Sequence, residues 1–350
     1  MRAFDEKGVL FMVREQREYL TPTDLKHILF SKRANLYYLE KCRVMQKDGR
    51  VLYLTQGKKE NCYYNIPIAN TTTILLGTGT SITQAAVRML SAAGVLIGFC
   101  GGGGTPLFAS TEIEWLSPQN EYRPTQYVQG WLAGWWEEDK RLAAAKKFQL
   151  ARCSFLETVW NRDADLAENG IDGEDEAVES ALETYRHNIQ RAQDVQHLLT
   201  HEAHFAKSLY AYVAETMDVE DFVRNPRGGD QANRNLDQGN YLAYGLAASA
   251  LWVLGIPHGF ALMHGKTRRG ALVFDVADLV KDTLVLPFAF IAASEGLSGQ
   301  EFREMCLNKL VEHKALDYMY EKVKAQSLAW KEEKEHHDDP HRQSEYEEGN

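Results

Sequence analysis

The sequence predicts an α+β fold, with a small β-rich N-terminal domain over residues 1–105 and a larger all-α domain over 106–330. Three observations carry this. Short runs from Ile28 to Leu76 alternate apolar with polar residues and are rich in Tyr, Val, Ile and Thr. After Tyr127 the apolar residues recur at three- and four-residue intervals. The period changes around four consecutive glycines, Gly101 to Gly104, which read as a boundary or a turn. A chain of 350 residues is long enough for two cores.

The strand candidates come first in the chain. LYYLEKCRVMQ, GRVLYLTQ and TTTILLG are broken by Asp48-Gly49 and by Gly57-Lys58, and an Asp-Gly pair between alternating runs is a hairpin signal. From Ser81 the pattern becomes SITQAAVRMLSAAG, a hydroxyl cap followed by helical spacing, and then VLIGFC, a short buried strand. Four helical stretches follow. They run from Trp131 to Trp160, from Glu179 to Met217, from Asn240 to Ile256, and from Gly299 to Trp330. No internal repeat is present.

The net charge of −10 argues at first against a nucleic-acid partner. Its distribution changes that view. Residues 161–180 carry −7 and residues 331–350 carry −5, so the other 310 sum to +2. Both stretches lack aliphatic periodicity, which predicts a solvated loop at 161–180 and a disordered acidic tail at 331–350. A basic groove on the remainder is compatible with this balance. No run approaches the roughly 18 apolar residues of a membrane span, and the N-terminus lacks a signal-peptide pattern, so a cytoplasmic protein without membrane contact is expected. The five cysteines are scattered without a Cys-x-x-Cys pair and read as reduced thiols.

Chemistry concentrates in residues 255–282, where His264 precedes Asp275 by eleven positions and Asp278 follows three later. On a helix, i and i+3 lie on one side, and two such carboxylates repel unless a cation neutralises them. Magnesium or manganese suits oxygen ligands, and imidazole suits manganese better. Lys266, Arg268 and Arg269 lie between the histidine and the acids, where a turn would present them to a phosphodiester; Lys281 and Arg234 are further candidate DNA contacts. Helix capping and dipole complementarity are the other reading of Asp-x-x-Asp.

Glu202 lies in a helical run with His197, His201 and His204. The order His201-Glu202-Ala203-His204 departs from the His-Glu-x-x-His of a zinc protease helix, so a polar helix flank is the simpler reading, with a zinc hydrolase as an alternative. LLGTGTSIT and Gly101 to Gly104 lack the phosphate-loop and dinucleotide spacings, and no nucleotide site is assigned.

Several blocks in order resemble the CRISPR-associated integrase, the larger of the two proteins that insert new spacers. They are Leu75-Leu76-Gly77 with Thr80 to Thr83, Glu202-Ala203, Asn240 to Gly245, Gly255 to His264, and Leu272 to Asp275 with Asp278. The resemblance covers nearly the whole chain except the acidic tail, and LFSKRANLYYLEK and GNYLAYG point to the subtype I-F branch. It departs in three places: Asp278 stands where some relatives have glutamate, Lys281 where arginine is common, and residues 161–180 form an insertion. The resemblance implies that the helical domain is catalytic and that the β-domain forms a homodimer. It implies Glu202, His264 and Asp278 as ligands of Mg2+ or Mn2+, with Asp275 beside them as a catalytic residue. The activity implied is a metal-dependent endonuclease and integrase, in which a 3′-hydroxyl of a short prespacer duplex attacks a phosphodiester at the border of a CRISPR repeat. The implied partners are DNA and the smaller acquisition protein, fused in subtype I-F to a helicase-nuclease. A non-catalytic DNA-binding scaffold recruiting a helicase-nuclease is the alternative expectation.

Overall fold

A computed structural model describes residues 35–56, 61–99, 114–116, 125–219, 221–225, 229–265 and 270–338. The N-terminal part forms two four-stranded sheets. The first has the order β1 (Asn35–Leu39), β5 (Thr71–Leu76), β7 (Leu96–Phe99) and β8 (Glu114–Leu116), parallel except for β8. The second runs β4 (Asn61–Ile66), β3 (Arg50–Gln56), β2 (Arg43–Lys47) and β6 (Ser81–Ile82). Its β2–β3 hairpin turns at Asp48-Gly49, both with positive φ, as the Asp-Gly signal requires. Helix α1 (Gln84–Ala92) is capped by the Thr83 side chain and packs on β2 and β3. β8 extends the first sheet beyond residue 105; Gly101 to Gly104 lie outside the described residues.

The rest is helical: α2 (Gln126–Trp135), α3 (Glu138–Trp160), α4 (Ala164–Glu168), α5 (Glu176–Arg191), α6 (Val195–Thr216), α7 (Gln231–Leu254), α8 (Ala271–Ala277), α9 (Leu286–Ser294), α10 (Gly299–Glu312) and α11 (Ala315–Asp338). The fold is therefore α+β in the expected order. α7 is the axial helix. It is buried on most of its surface and packs against α8, α9, α10 and α11. Small residues allow close approach elsewhere: a Cβ at Gly130 or Gly134 on α2 would collide with Ser327 or Trp330 on α11. The indole of Trp330 takes that space.

The strand period decides how the two parts meet. On β5, Ile74 and Leu76 enter the small β-domain core, whereas Leu75 belongs to the large helical core and Thr73 is hydrogen-bonded to Ser249 of α7. On the neighbouring strand, Arg303 of α10 reaches Glu40 at 3.3 Å and lies over the Tyr38 ring.

Three expectations need correction. Residues 161–180 are not a solvated loop. Asp163 and Asp175 are helix N-caps, Leu166, Ile171 and Val178 are fully buried, and the acids between them point outward. The tail is not disordered from 331, because α11 continues to Asp338; residues 339–350 lie outside the described residues. Three long helical runs are each divided: at Glu137 and at Asp194 an extended backbone residue starts a new helix, and between Glu312 and Ala315 the chain turns through Lys314, which has positive φ.

Candidate metal centre

The loop 258–265 and the short helix α8 are built around one carboxylate. Asp275 is 2% exposed, and its Oδ2 accepts from the backbone N–H groups of Leu262 at 2.6 Å and Met263 at 3.2 Å. Its Oδ1 accepts from His264 N–H at 3.3 Å and from His264 Nδ1 at 2.7 Å. An ionised carboxylate only accepts, so Nδ1 carries the proton and Nε2 is left with a lone pair. Two indoles hold the same loop from the other side: Trp131 Nε1 donates to Phe260 O at 3.0 Å and Trp135 Nε1 to Ala261 O at 2.8 Å.

Asp278 follows at the end of α8 with 1% exposure, and neither carboxylate oxygen accepts a hydrogen bond. The ammonium of Lys281 lies against its Oδ1 as an ion-pair contact. The chain then makes a π-helical turn over Lys281–Val285 before α9, a distortion that recurs at functional sites. The turn also presents Asp282 to the guanidinium of Arg152. Arg152, on α3, donates to Glu202 of α6 at 2.9 Å and to Gln149 Oε1 at 3.0 Å. Gln149 in turn accepts from Tyr185 OH at 2.9 Å and reaches Met263 Sδ at 3.1 Å.

Titration follows from these contacts. Burial would lower the His264 pKa, but the hydrogen bond to Asp275 and the charges of Asp278 and Asp275 raise it above the usual imidazole value. Burial would raise Glu202, yet the charge of Arg152, then those of Lys281 and His264, hold it below the usual carboxylate range. Lys281 is raised despite its burial, because Asp278, Tyr244, Glu202 and Asp282 surround it.

Glu202, His264, Asp275, Asp278 and Lys281 thus form one electrostatic unit drawn from α6, the loop, α8 and the π-helical turn. Among the described residues, the His and acid group whose ligand atoms all lie within 4.8 Å is a different one, Asp163, Glu312 and His313. Lys309 already neutralises that group, at 2.7 Å from Asp163, 2.8 Å from Asp165 and 3.2 Å from Glu312. His197 pairs with Asp194 at 3.2 Å, and His201 and His204 line a groove between α5 and α6, so the histidine face is not drawn into one ligand set. Lys281 faces Asp278, and Arg234 is exposed on the first turn of α7, bonded to Gly229 and Gln231. Lys266, Arg268 and Arg269 lie outside the described residues.

Sequence reasoning missed Arg152, Gln149 and Asp282. A signal existed: Gln149 and Arg152 are polar residues at i and i+3 within an α3 face otherwise made of Ala145, Phe148, Cys153 and Leu156.

The residues fit a divalent cation. Four carboxylates stand against two permanent cations: Arg152 meets Glu202 and Asp282, Lys281 meets Asp278, and Asp275 is bonded to the His264 ring. With a neutral His264 ring the residual is the charge of one divalent ion, and Asp278, whose Oδ1 lies against the Lys281 ammonium, keeps an Oδ2 that no described donor uses.

A family model, CRISPR associated protein Cas1, matches residues 36–316. The chain belongs to the Cas1 family. A CRISPR-associated endonuclease Cas1 from Pseudomonas aeruginosa is 54% identical over 311 residues, covering 87% of this chain and 96% of the relative. Another, from Pectobacterium atrosepticum, is 53% identical over 305 residues, covering 85% and 94%. Among solved structures, the one described as the TtCas1–DNA complex matches with a TM-score of 0.61 and 20% identity, over 83% of this chain and 91% of that one. At that identity it speaks for the Cas1 fold. In this Cas1 chain no described helix is long and apolar enough to cross a membrane.

Proposed function

We propose that this Cas1 chain is a nuclease and integrase of CRISPR adaptation that joins the 3′-hydroxyl of a short DNA duplex to a phosphodiester at a repeat border. The observation that carries the metal-dependent part of this reading is Asp278, a fully buried carboxylate whose Oδ2 meets no described donor, electrostatically linked to His264, whose Nε2 keeps its lone pair. Glu202, His264 and Asp278 would hold Mg2+ or Mn2+, and Asp275 would stay with the imidazole. When bound, the ion supplies activation of the attacking hydroxyl and stabilisation of the leaving oxygen.

The protein's own groups prepare that step. Asp275 fixes the tautomer and the direction of the imidazole through four hydrogen bonds. Lys281 keeps a positive charge against Asp278 and limits the repulsion among the acids. Arg234 and the segment containing Lys266, Arg268 and Arg269 would contact DNA phosphates, with Lys281 available to a scissile phosphate once Asp278 has another cation. A homodimer formed through the β-domain, and an assembly with the smaller acquisition protein fused to a helicase-nuclease, complete the proposed machine. The subtype I-F assignment rests on the wording of the N-terminal and α7 motifs.

The test is an integration assay with a short duplex, a repeat-containing target and the purified partner. Glu202→Ala and Asp278→Ala, still folded, are expected to lose metal-dependent strand transfer entirely. Full strand transfer by Asp278→Ala would overturn the assignment. DNA binding that persists in chelator, with no joining by the wild type in either metal, would favour the non-catalytic scaffold.

A further inference from the structure

Arg152 is a fully buried cation beside the centre, 1% exposed, and it lies on α3, an element to which the motif blocks assign nothing. An isolated guanidinium at that depth is strongly unfavourable, so its retention calls for partners that require it. It has three. It donates to Glu202 on α6 at 2.9 Å, contacts Asp282 on the π-helical turn, and donates to Gln149 at 3.0 Å. Gln149 then reaches Met263, the residue before His264. The Phe205 ring, one helical turn beyond Glu202, lies 5.5 Å from the guanidinium carbon and stacks on Tyr185 at 4.4 Å. Every segment that brings a candidate ligand to the centre therefore meets α3 at this pair of side chains.

We propose that Arg152, braced by Gln149, is the positioning residue of the metal centre, holding the Glu202 carboxylate and the segment after Asp278 in one register. Among the described residues Arg152 is the hydrogen-bond donor to Glu202, and the guanidinium fork, with one arm on each acid, fixes the distance between α6 and the π-helical turn. A charge on a flexible stem would neutralise the same acids without fixing that distance. This separates positioning from mere neutralisation, and it gives the two a different experimental sign.

The inference rests on the metal-dependent reading above. The experiment measures Mn2+ binding to the metal-free full-length chain by calorimetry, with near-ultraviolet circular dichroism and melting temperature as controls of folding. Arg152→Lys keeps the charge and removes the fork. Positioning predicts Mn2+ affinity about 10- to 100-fold weaker, the range found when groups supporting metal ligands are removed. Neutralisation alone predicts affinity unchanged within about twofold, and that result overturns the proposal. Lys281→Gln is the contrast, because it removes the cation that competes with the metal for Asp278, and its Mn2+ affinity is expected to rise. If Arg152→Lys does not fold, Gln149→Leu carries the same test: it keeps every charge, loses the brace, and is expected to bind Mn2+ several-fold more weakly, with unchanged affinity again overturning the proposal. Absence of Mn2+ binding by the wild-type chain is a different result, and overturns the metal-dependent reading itself.

Discussion

Asp275 and Asp278 lie three residues apart on α8 with equally low exposure, yet their environments are opposite. One accepts four hydrogen bonds and the other none. Spacing in the sequence brought them to one side of a helix but could not tell them apart, because the donors to Asp275 are backbone groups of a loop eleven to thirteen residues away. The difference predicts distinct failures. Asp275→Asn puts an amide against three N–H donors and lets the imidazole change tautomer, so Mn2+ affinity should fall about 10- to 100-fold with little change of fold. Titration of His264 gives a second expectation. Ligation needs the neutral ring, and the pKa is raised, so metal affinity should climb with pH and level off above the ordinary imidazole value of about 6.5. Calorimetric titrations across this range check it. Without metal the sign reverses: stability from the charged His264–Asp275 pair is complete below about 6.5 and is lost as pH rises through the raised value.

At the scale of elements, the strands and α1 were legible because alternation, an Asp-Gly turn and a threonine cap are local signals. The helix breaks at Glu137 and Asp194 were not, since neither carries glycine or proline; Asp194 caps α6 through His197 N–H, a signal hidden inside a continuous apolar period, and Glu137 makes no side-chain cap at all. The acidic segment 161–180 misled for a related reason. Its charge density resembles a solvated loop, whereas the few residues that matter, Asp163, Leu166, Ile171 and Val178, are buried and widely spaced. Asp163 shows what such a residue does. It caps α4 while accepting from Lys309 at 2.7 Å and His313 at 2.6 Å, tying that segment to α10. Burial would raise its pKa, but those two partners lower it. Its contribution is therefore present above about pH 4 and is lost as pH falls through the lowered value. Asp163→Asn should cost about 1.5–3 kcal/mol in urea unfolding at neutral pH. The difference from wild type should shrink in acid.

For the whole molecule, the net charge of −10 by itself argues against a DNA partner, and its distribution along the chain removes that objection. α11 now claims residues 331–338, which leaves 339–350 as the segment to remove. Deleting it should preserve or strengthen DNA binding, and affinity should fall with added salt by a slope of about −0.9 per phosphate contacted. Fluorescence anisotropy over a salt series measures both; loss of binding on deletion would place the DNA contacts in the tail. The centre itself was legible only in part. Glu202 stands more than sixty residues from His264, and its placement came from motif order, while the α3 side chains beneath it had no motif to announce them.

The alternation along β5 has a consequence for how such a chain can change over evolutionary time. Ile74 and Leu76 serve one core while Leu75 and Thr73 serve the other, so the strand is a party wall and not a hinge. Neither half can be lent to another protein without carrying a raw face with it. Anything that grips the first sheet from outside is thereby tied to α7 through β5, and a change on one face of the strand has to be compatible with the other.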